Sequence, residues 1–250
     1  MIEIEFPLND FIEVKYNNSK DNDWPTPSPF NLRFSKRRLK DDESNAISGC
    51  GIYLISSNDT KEVVYLGMYR KINGNIIQDR WGRHLQTITG RGFNIGLGGQ
   101  SNPNRRQTVL LNSIQAPELR KAIENAYSYS LNDRFRDTGY STTPNRLRFA
   151  SENWDSFGTA NDREILDSLT FWFLRIRLPN NSDDAAKEVK TVEKSILKQF
   201  KPVCNREYKH SYHNEKRKYN SINSVTEAVR KAVKMVTRQD ITYRIKLTNT

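Results

Sequence analysis

At 250 residues the chain can bury a full core as one elaborated domain or two small ones. Lys and Arg outnumber Asp and Glu by 40 to 29, so the net charge of +11 points to an anionic partner. Two cysteines, Cys50 and Cys204, exclude a disulfide framework, and the longest apolar run, Leu169 to Leu178, is interrupted by Arg175 and Arg177 and excludes a membrane span.

So few cysteines make a reducing cytoplasm the expected location, and the opening MIEIEF carries early acids instead of the basic and apolar regions of a secretory leader. The basic excess is uneven: residues 101 to 150 hold 8 basic against 4 acidic residues, and residues 201 to 250 hold 12 against 4. Polyanion binding explains such a two-segment bias better than scattered solvated charge.

Residues 1 to 47 read as an N-terminal extension. Ile2, Ile4 and Phe6 alternate with acids in the manner of an edge strand or a cover for the core. A Pro-rich loop from Trp24 to Phe30 follows, then the basic run Ser35 to Lys40, read as a solvated turn.

The next stretch, GIYLISSNDTKEVVYLG from Gly51 to Gly67, has the pattern of a β-hairpin: two β-branched and aromatic runs around a turn-prone centre. With the turn centred near Asp59, Tyr53 lies directly opposite Tyr65 on one sheet face. A cross-strand aromatic pair covering a core is the ordinary meaning of that pattern.

Ile76 to Thr89 reads as a helix. At 100° per residue Trp81, Leu85 and Ile88 form an apolar stripe, and Arg80, Arg83, His84 and Thr87 form the adjacent one, with Arg80 a turn before His84. An arginine placed there, facing a tyrosine pair, shifts the histidine from a structural role toward phosphate handling. Five glycines between Gly90 and Gly99 make a loop; they neither follow a strand nor open a helix, so they form no dinucleotide fingerprint.

Residues 102 to 160 are polar and rich in arginine (Arg105, Arg106, Arg134, Arg136, Arg146, Arg148), with a helix expected from Pro117 to about Leu131. Interleaved Tyr127, Tyr129, Phe135 and Tyr140 give the basic and aromatic mixture that suits nucleic acid, though a solvated insertion reads the same way.

Leu169 to Leu178 reads as a central strand, and Ala185 to Phe200 as a helix with Asp183 or Ser182 as its N-cap. The stripe Val189, Val192, Ile196, Leu197 and Phe200 includes Glu193. A carboxylate on a buried face is costly unless it is paired or binds a cation. Pro202 halts this helix. The tail carries a basic helix from the capping box Ser224 to Glu227 to about Arg238, then a strand from Ile241 to Leu247. Cys204, His210 and His213 have a loosely metal-like spacing without an evident fourth ligand.

Laid out in this order, the chain resembles the GIY-YIG nuclease family, and most of all its type II restriction endonucleases. The resemblance rests on GIY at Gly51 to Tyr53, YLG at Tyr65 to Gly67, RWGRH at Arg80 to His84, and VEKSILKQFKPVCN from Val192 to Asn205. It covers about half the chain, and Leu66 departs from the usual Ile or Val.

The fold it implies is α/β (α+β): a small three-stranded antiparallel sheet flanked by helices, with strands near Cys50 to Ser56, Val63 to Met68 and Leu169 to Arg177. The core would span residues 48 to 210, interrupted by an insertion at 91 to 165 and followed by a basic extension at 211 to 250. The resemblance implies a double-stranded DNA endonuclease using one Mg2+ ion held by Glu193. Tyr53 would help deprotonate water, Tyr65 would orient it or the phosphate, and Arg80 would stabilise developing charge. His84 would position phosphate or assist proton transfer, and Asn205 would brace the site. Arg83, Arg105, Arg106, Arg134, Arg136, Lys216, Arg217 and Lys218 are candidate DNA contacts, and a homodimer suits a palindromic target. A structure-directed repair nuclease, a homing-like nuclease and a nucleic-acid-binding protein without catalysis are the competing expectations.

Overall fold

A computed structural model describes residues 2–7, 12–16, 32–36, 47–90, 116–117, 143–158, 162–176, 182–205, 220–237 and 243–246. Strands β1 (Ile2–Pro7), β2 (Ile12–Tyr16) and β3 (Leu32–Lys36) precede the hairpin of β4 (Gly51–Ser57) and β5 (Val63–Tyr69). A π-turn, Ile77–Trp81, runs into α1 (Gly82–Ile88). Then come α2 (Thr143–Glu152), α3 (Trp154–Phe157), α4 (Asp162–Asp167), β6 (Leu169–Arg175) and α5 (Ser182–Phe200). A 3-10 turn at Val203–Asn205, α6 (Ile222–Thr237) and β7 (Tyr243–Lys246) complete the order.

The mixed α/β class expected from the sequence is present, with a difference in the sheet. Its centre is the expected antiparallel trio β5-β4-β6, but the full order is β5-β4-β6-β1-β7. Both terminal extensions therefore supply strands: β1 pairs antiparallel with β6, and β7 lies parallel to β1. The basic run placed in a solvated turn partly belongs to β3, which pairs with β2 in a second, two-stranded sheet.

Alternation along the strands gives the main sheet two faces with different tasks. Ile52, Leu54, Leu66, Trp172 and Leu174 face one way and pack under Val189, Val192 and Ile196 of α5 and Val225, Val229 and Val233 of α6. Each such aliphatic side chain contributes about 1.5–3 kcal/mol on burial, so this layer anchors the two long helices. Tyr53, Ile55, Tyr65, Gly67, Phe171 and Phe173 point to the other face.

Helix ends differ modestly from the expectation. α5 begins at Ser182 and stops before Pro202, with Lys201 in the left-handed region at φ 47°. α6 starts two residues before the proposed capping box. The Ser221 hydroxyl accepts the Ser224 N–H at 3.2 Å, making Ser221 the cap. The first turn of α6 is tied to the hairpin, since Val63 N–H donates to the Asn220 carbonyl and Ile222 N–H to that of Lys61. Only Pro117 of the expected helix 117 to 131 falls among the described residues.

Candidate active site

The hairpin register differs from the sequence reading by two residues. Tyr53 sits opposite Gly67, and Tyr65 opposite Ile55, with a bulge between Ile55 and Ser56. The left-handed Lys61, φ 55°, closes the turn beyond Asp59 and so moves its centre. The shift preserves parity, so both phenols stay on one face, now diagonal, with ring centroids 5.9 Å apart. It also explains the glycine of YLG. The Tyr53 ring lies across Gly67, where an added Cβ would stand 2.5 Å from both Cζ and Oη of Tyr53.

His84 completes this cluster. The Tyr53 hydroxyl and His84 Nε2 are hydrogen-bonded at 2.7 Å, and the imidazole lies 4.6 Å from the Tyr65 ring, centroid to centroid. Tyr53, Tyr65 and His84 are all buried. The continuous α-helix read over 76–89 is a π-turn followed by α1, and the wider turn changes the helical phase that 100° arithmetic assumes. Leu85 and Ile88 are fully buried, as the stripe required.

The π-turn is fixed from both sides. The Asn75 side chain accepts Ile77 N–H at 3.0 Å, and the Tyr69 hydroxyl donates to Asp79, which pairs with Lys71 at 2.8 Å. Lys71 and the Tyr69 hydroxyl hold the Asp79 carboxyl below its ordinary range, while burial and Asp79 push the Tyr69 phenol up. Arg80 follows Asp79 directly, is half-buried, and its charge reaches both Tyr53 and Tyr69.

A further arginine enters from the stretch read as an insertion. Arg146 of α2 is buried, its guanidinium 4.6 Å from the Tyr65 ring centroid and its Nη1 donating to Thr87 Oγ1 at 3.2 Å. Thr87 in turn donates to the His84 carbonyl at 3.2 Å, so the arginine spans α1 and β5. In the sequence Arg146 is one basic residue among several in this stretch. The signal that singles it out is its helical phase: Phe149 and Ala150, three and four positions on, are buried, which places a cation inside an apolar stripe.

Asn205 and Glu193 approach β5 from its outer edge. Among the described residues β5 ends the sheet, so alternate backbone groups on that side have no strand partner there. The Asn205 amide supplies one: its Oδ1 accepts Leu66 N–H at 2.6 Å and its Nδ2 donates to the Leu66 carbonyl at 2.5 Å. Glu193 accepts the next outward N–H, that of Met68. Glu193 is half-buried beside buried Val189, Val192 and Ile196, as its position in the stripe implied. It thus reaches the strand edge from the α5 side of the sheet, whereas the tyrosines occupy the other face.

Burial raises the Glu193 carboxyl above its usual value, against the Met68 N–H and the charges of Arg70, Lys190 and Lys194. Burial likewise drives the Tyr53 phenol well above the ordinary tyrosine value, and Tyr65 adds to this, while Arg146 and Arg80 oppose it without offsetting it. Among the described residues no group of three or more His, Cys, Asp and Glu side chains gathers to cage a metal. A single partly desolvated carboxylate still fits Mg2+, which keeps several waters and binds through one or two carboxylates plus substrate phosphates.

The backbone of Arg83 lies in α1, but its side chain is outside the described set. Arg105, Arg106, Arg134, Arg136, His210, His213, Lys216, Arg217 and Lys218 fall outside the described residues. Among the described residues no helix is long and apolar enough to cross a membrane. Compared with family models, curated proteins and solved structures, the chain matches none.

Proposed function

We propose that this chain is a magnesium-dependent endonuclease of the GIY-YIG kind that hydrolyses phosphodiester bonds in double-stranded DNA, acting as a sequence-specific type II restriction enzyme. One observation carries the reading. Four motif segments spread between Tyr53 and Asn205 converge on strand β5, with Tyr53, Tyr65 and His84 in mutual contact on one face and Asn205 and Glu193 on its outer edge. An aromatic core patch requires neither a histidine hydrogen-bonded to a phenol nor a carboxylate turned to a strand edge.

Hydrolysis needs an activated water and compensation for charge developing on the phosphate. Mg2+ held by Glu193, water and a phosphate oxygen would supply the Lewis acid. The raised Tyr53 phenol keeps its proton at neutral pH, so Tyr53 does not act as a standing phenolate. With its 2.7 Å bond to His84, its oxygen takes the proton of the attacking water as its own passes to Nε2. Tyr65, the most exposed of the trio at 8%, is turned by Arg146 to orient water or phosphate. Arg80 and Arg146 add positive charge where the phosphate becomes more negative.

The test is incubation of purified protein with plasmid and Mg2+, beside Glu193→Ala. Discrete fragments from the native protein alone are expected. Equal cutting by the variant sinks the metal assignment, a smear sinks the restriction role, and no cutting at all sinks the nuclease reading.

A further inference from the structure

The solvent side of α5 is chemically lopsided. Lys187, Lys190, Lys194 and Lys198 are all exposed. At 100° per residue they occupy an arc of about 80° along one flank. The opposite flank presents neutral Thr191, Ser195 and Gln199, and Glu188 is half-buried. The lysine arc adjoins the position of Glu193, on the side that faces the outer edge of β5. Arg70, exposed at the end of β5, joins Lys190 and Lys194 as the cations whose charge reaches the Glu193 carboxylate.

A row of evenly phased cations beside one carboxylate has the shape of a phosphate track. From Lys187 to Lys198 the helix rises roughly 16 Å at about 1.5 Å per residue. Because a strand winds about the duplex axis, its successive phosphates lie farther apart than the ~3.4 Å axial rise, and a row of this length meets a few of them. Lysine suits this task because it contacts phosphates as a mobile point charge without reading bases.

We propose that the Lys187 to Lys198 flank of α5 is the surface on which the phosphate backbone of duplex DNA lies, leading one strand toward Glu193 and the outer edge of β5. The choice of DNA as the polyanion rests on the nuclease reading; the track itself rests on the placement of these lysines.

The experiment is anisotropy of a labelled duplex of about 25 base pairs, titrated with the full chain in EDTA over a range of salt. Lys190→Gln with Lys194→Gln is compared with an equal change of charge elsewhere, Lys61→Gln with Lys231→Gln, and with all four flank lysines replaced. Circular dichroism confirms that each variant is folded. The slope of log affinity against log salt is expected to fall by about 0.9 for each flank lysine removed, and to hold for the control pair. A control pair that weakens binding as much as the flank pair, an unchanged slope in the quadruple variant, or no duplex binding by the native chain overturns the track. A native chain that binds along this flank but leaves DNA uncut in Mg2+ sinks the nuclease reading and leaves the track standing. A quadruple variant that binds and cuts normally does the reverse.

Discussion

Replacing Asn205 with Ala removes both bonds by which one side chain completes the edge of β5. Leu66 is fully buried, and its N–H and C=O are satisfied at 2.6 and 2.5 Å by that amide. Two lost bonds at about 1 kcal/mol each, with the added cost of leaving partly buried backbone groups without a partner, give a destabilisation of roughly 2 to 4 kcal/mol. Asn205→Asp sharpens the test. The carboxylate still accepts the Leu66 N–H but sets an oxygen against the Leu66 carbonyl, so at neutral pH it should cost at least as much as Ala. On acidification the protonated acid regains a donor, and the Asp variant should recover part of the loss while the Ala variant does not. Urea unfolding with an unchanged slope gives the free energy, and exchange of the Leu66 amide should accelerate tenfold for each ~1.4 kcal/mol lost. If both variants unfold within about 0.5 kcal/mol of the native protein, Asn205 does not clamp this edge and the argument fails.

Arg146→Leu should retain a folded chain while lowering cleavage roughly 100-fold or more, because one site cation and the orientation of Tyr65 are lost together. Arg146→Lys should recover little of this, since an ammonium cannot lie flat on the Tyr65 ring. Single-turnover cleavage rates decide, and native rates in Arg146→Leu would reduce α2 to scaffold. Glu193 makes a pH prediction without DNA. Its raised carboxyl favours the protonated form in the fold, so that contribution is present below the ordinary glutamate range and is lost as pH rises through the raised value. Without divalent ions, Glu193→Gln should therefore match the native protein in acid and melt higher at neutral pH, keeping an acceptor for the Met68 N–H. A neutral-pH melting point below the native one would refute the desolvation argument.

The hairpin, the helix carrying Glu193 and strand β6 were legible because each has a strong local period, and the odd acid in an aliphatic stripe was visible by phase alone. What escaped came from features that period arithmetic does not contain. The bulge at Ile55/Ser56 together with the displaced turn at Lys61 moved the tyrosines from opposed to diagonal, and the π-turn altered the phase leading to His84. Arg146 lay in a segment whose composition suggested a solvated insertion, although three and four residues on it has the spacing of a packed face. β1 and β7 are extended as expected, but a strand's neighbours depend on distant pairing, and no local pattern states that β1, read as an edge strand or cover, lies inside the sheet between β6 and β7.

That last pairing bears on biosynthesis. Ile2 waits for Arg175 on one side and Tyr243 on the other, so β1 leaves the ribosome long before the two strands it pairs with. Until then its alternating isoleucines remain exposed to solvent and to other nascent chains. The interleaved Glu3 and Glu5 make such encounters repulsive, a safeguard against aggregation written into the strand itself.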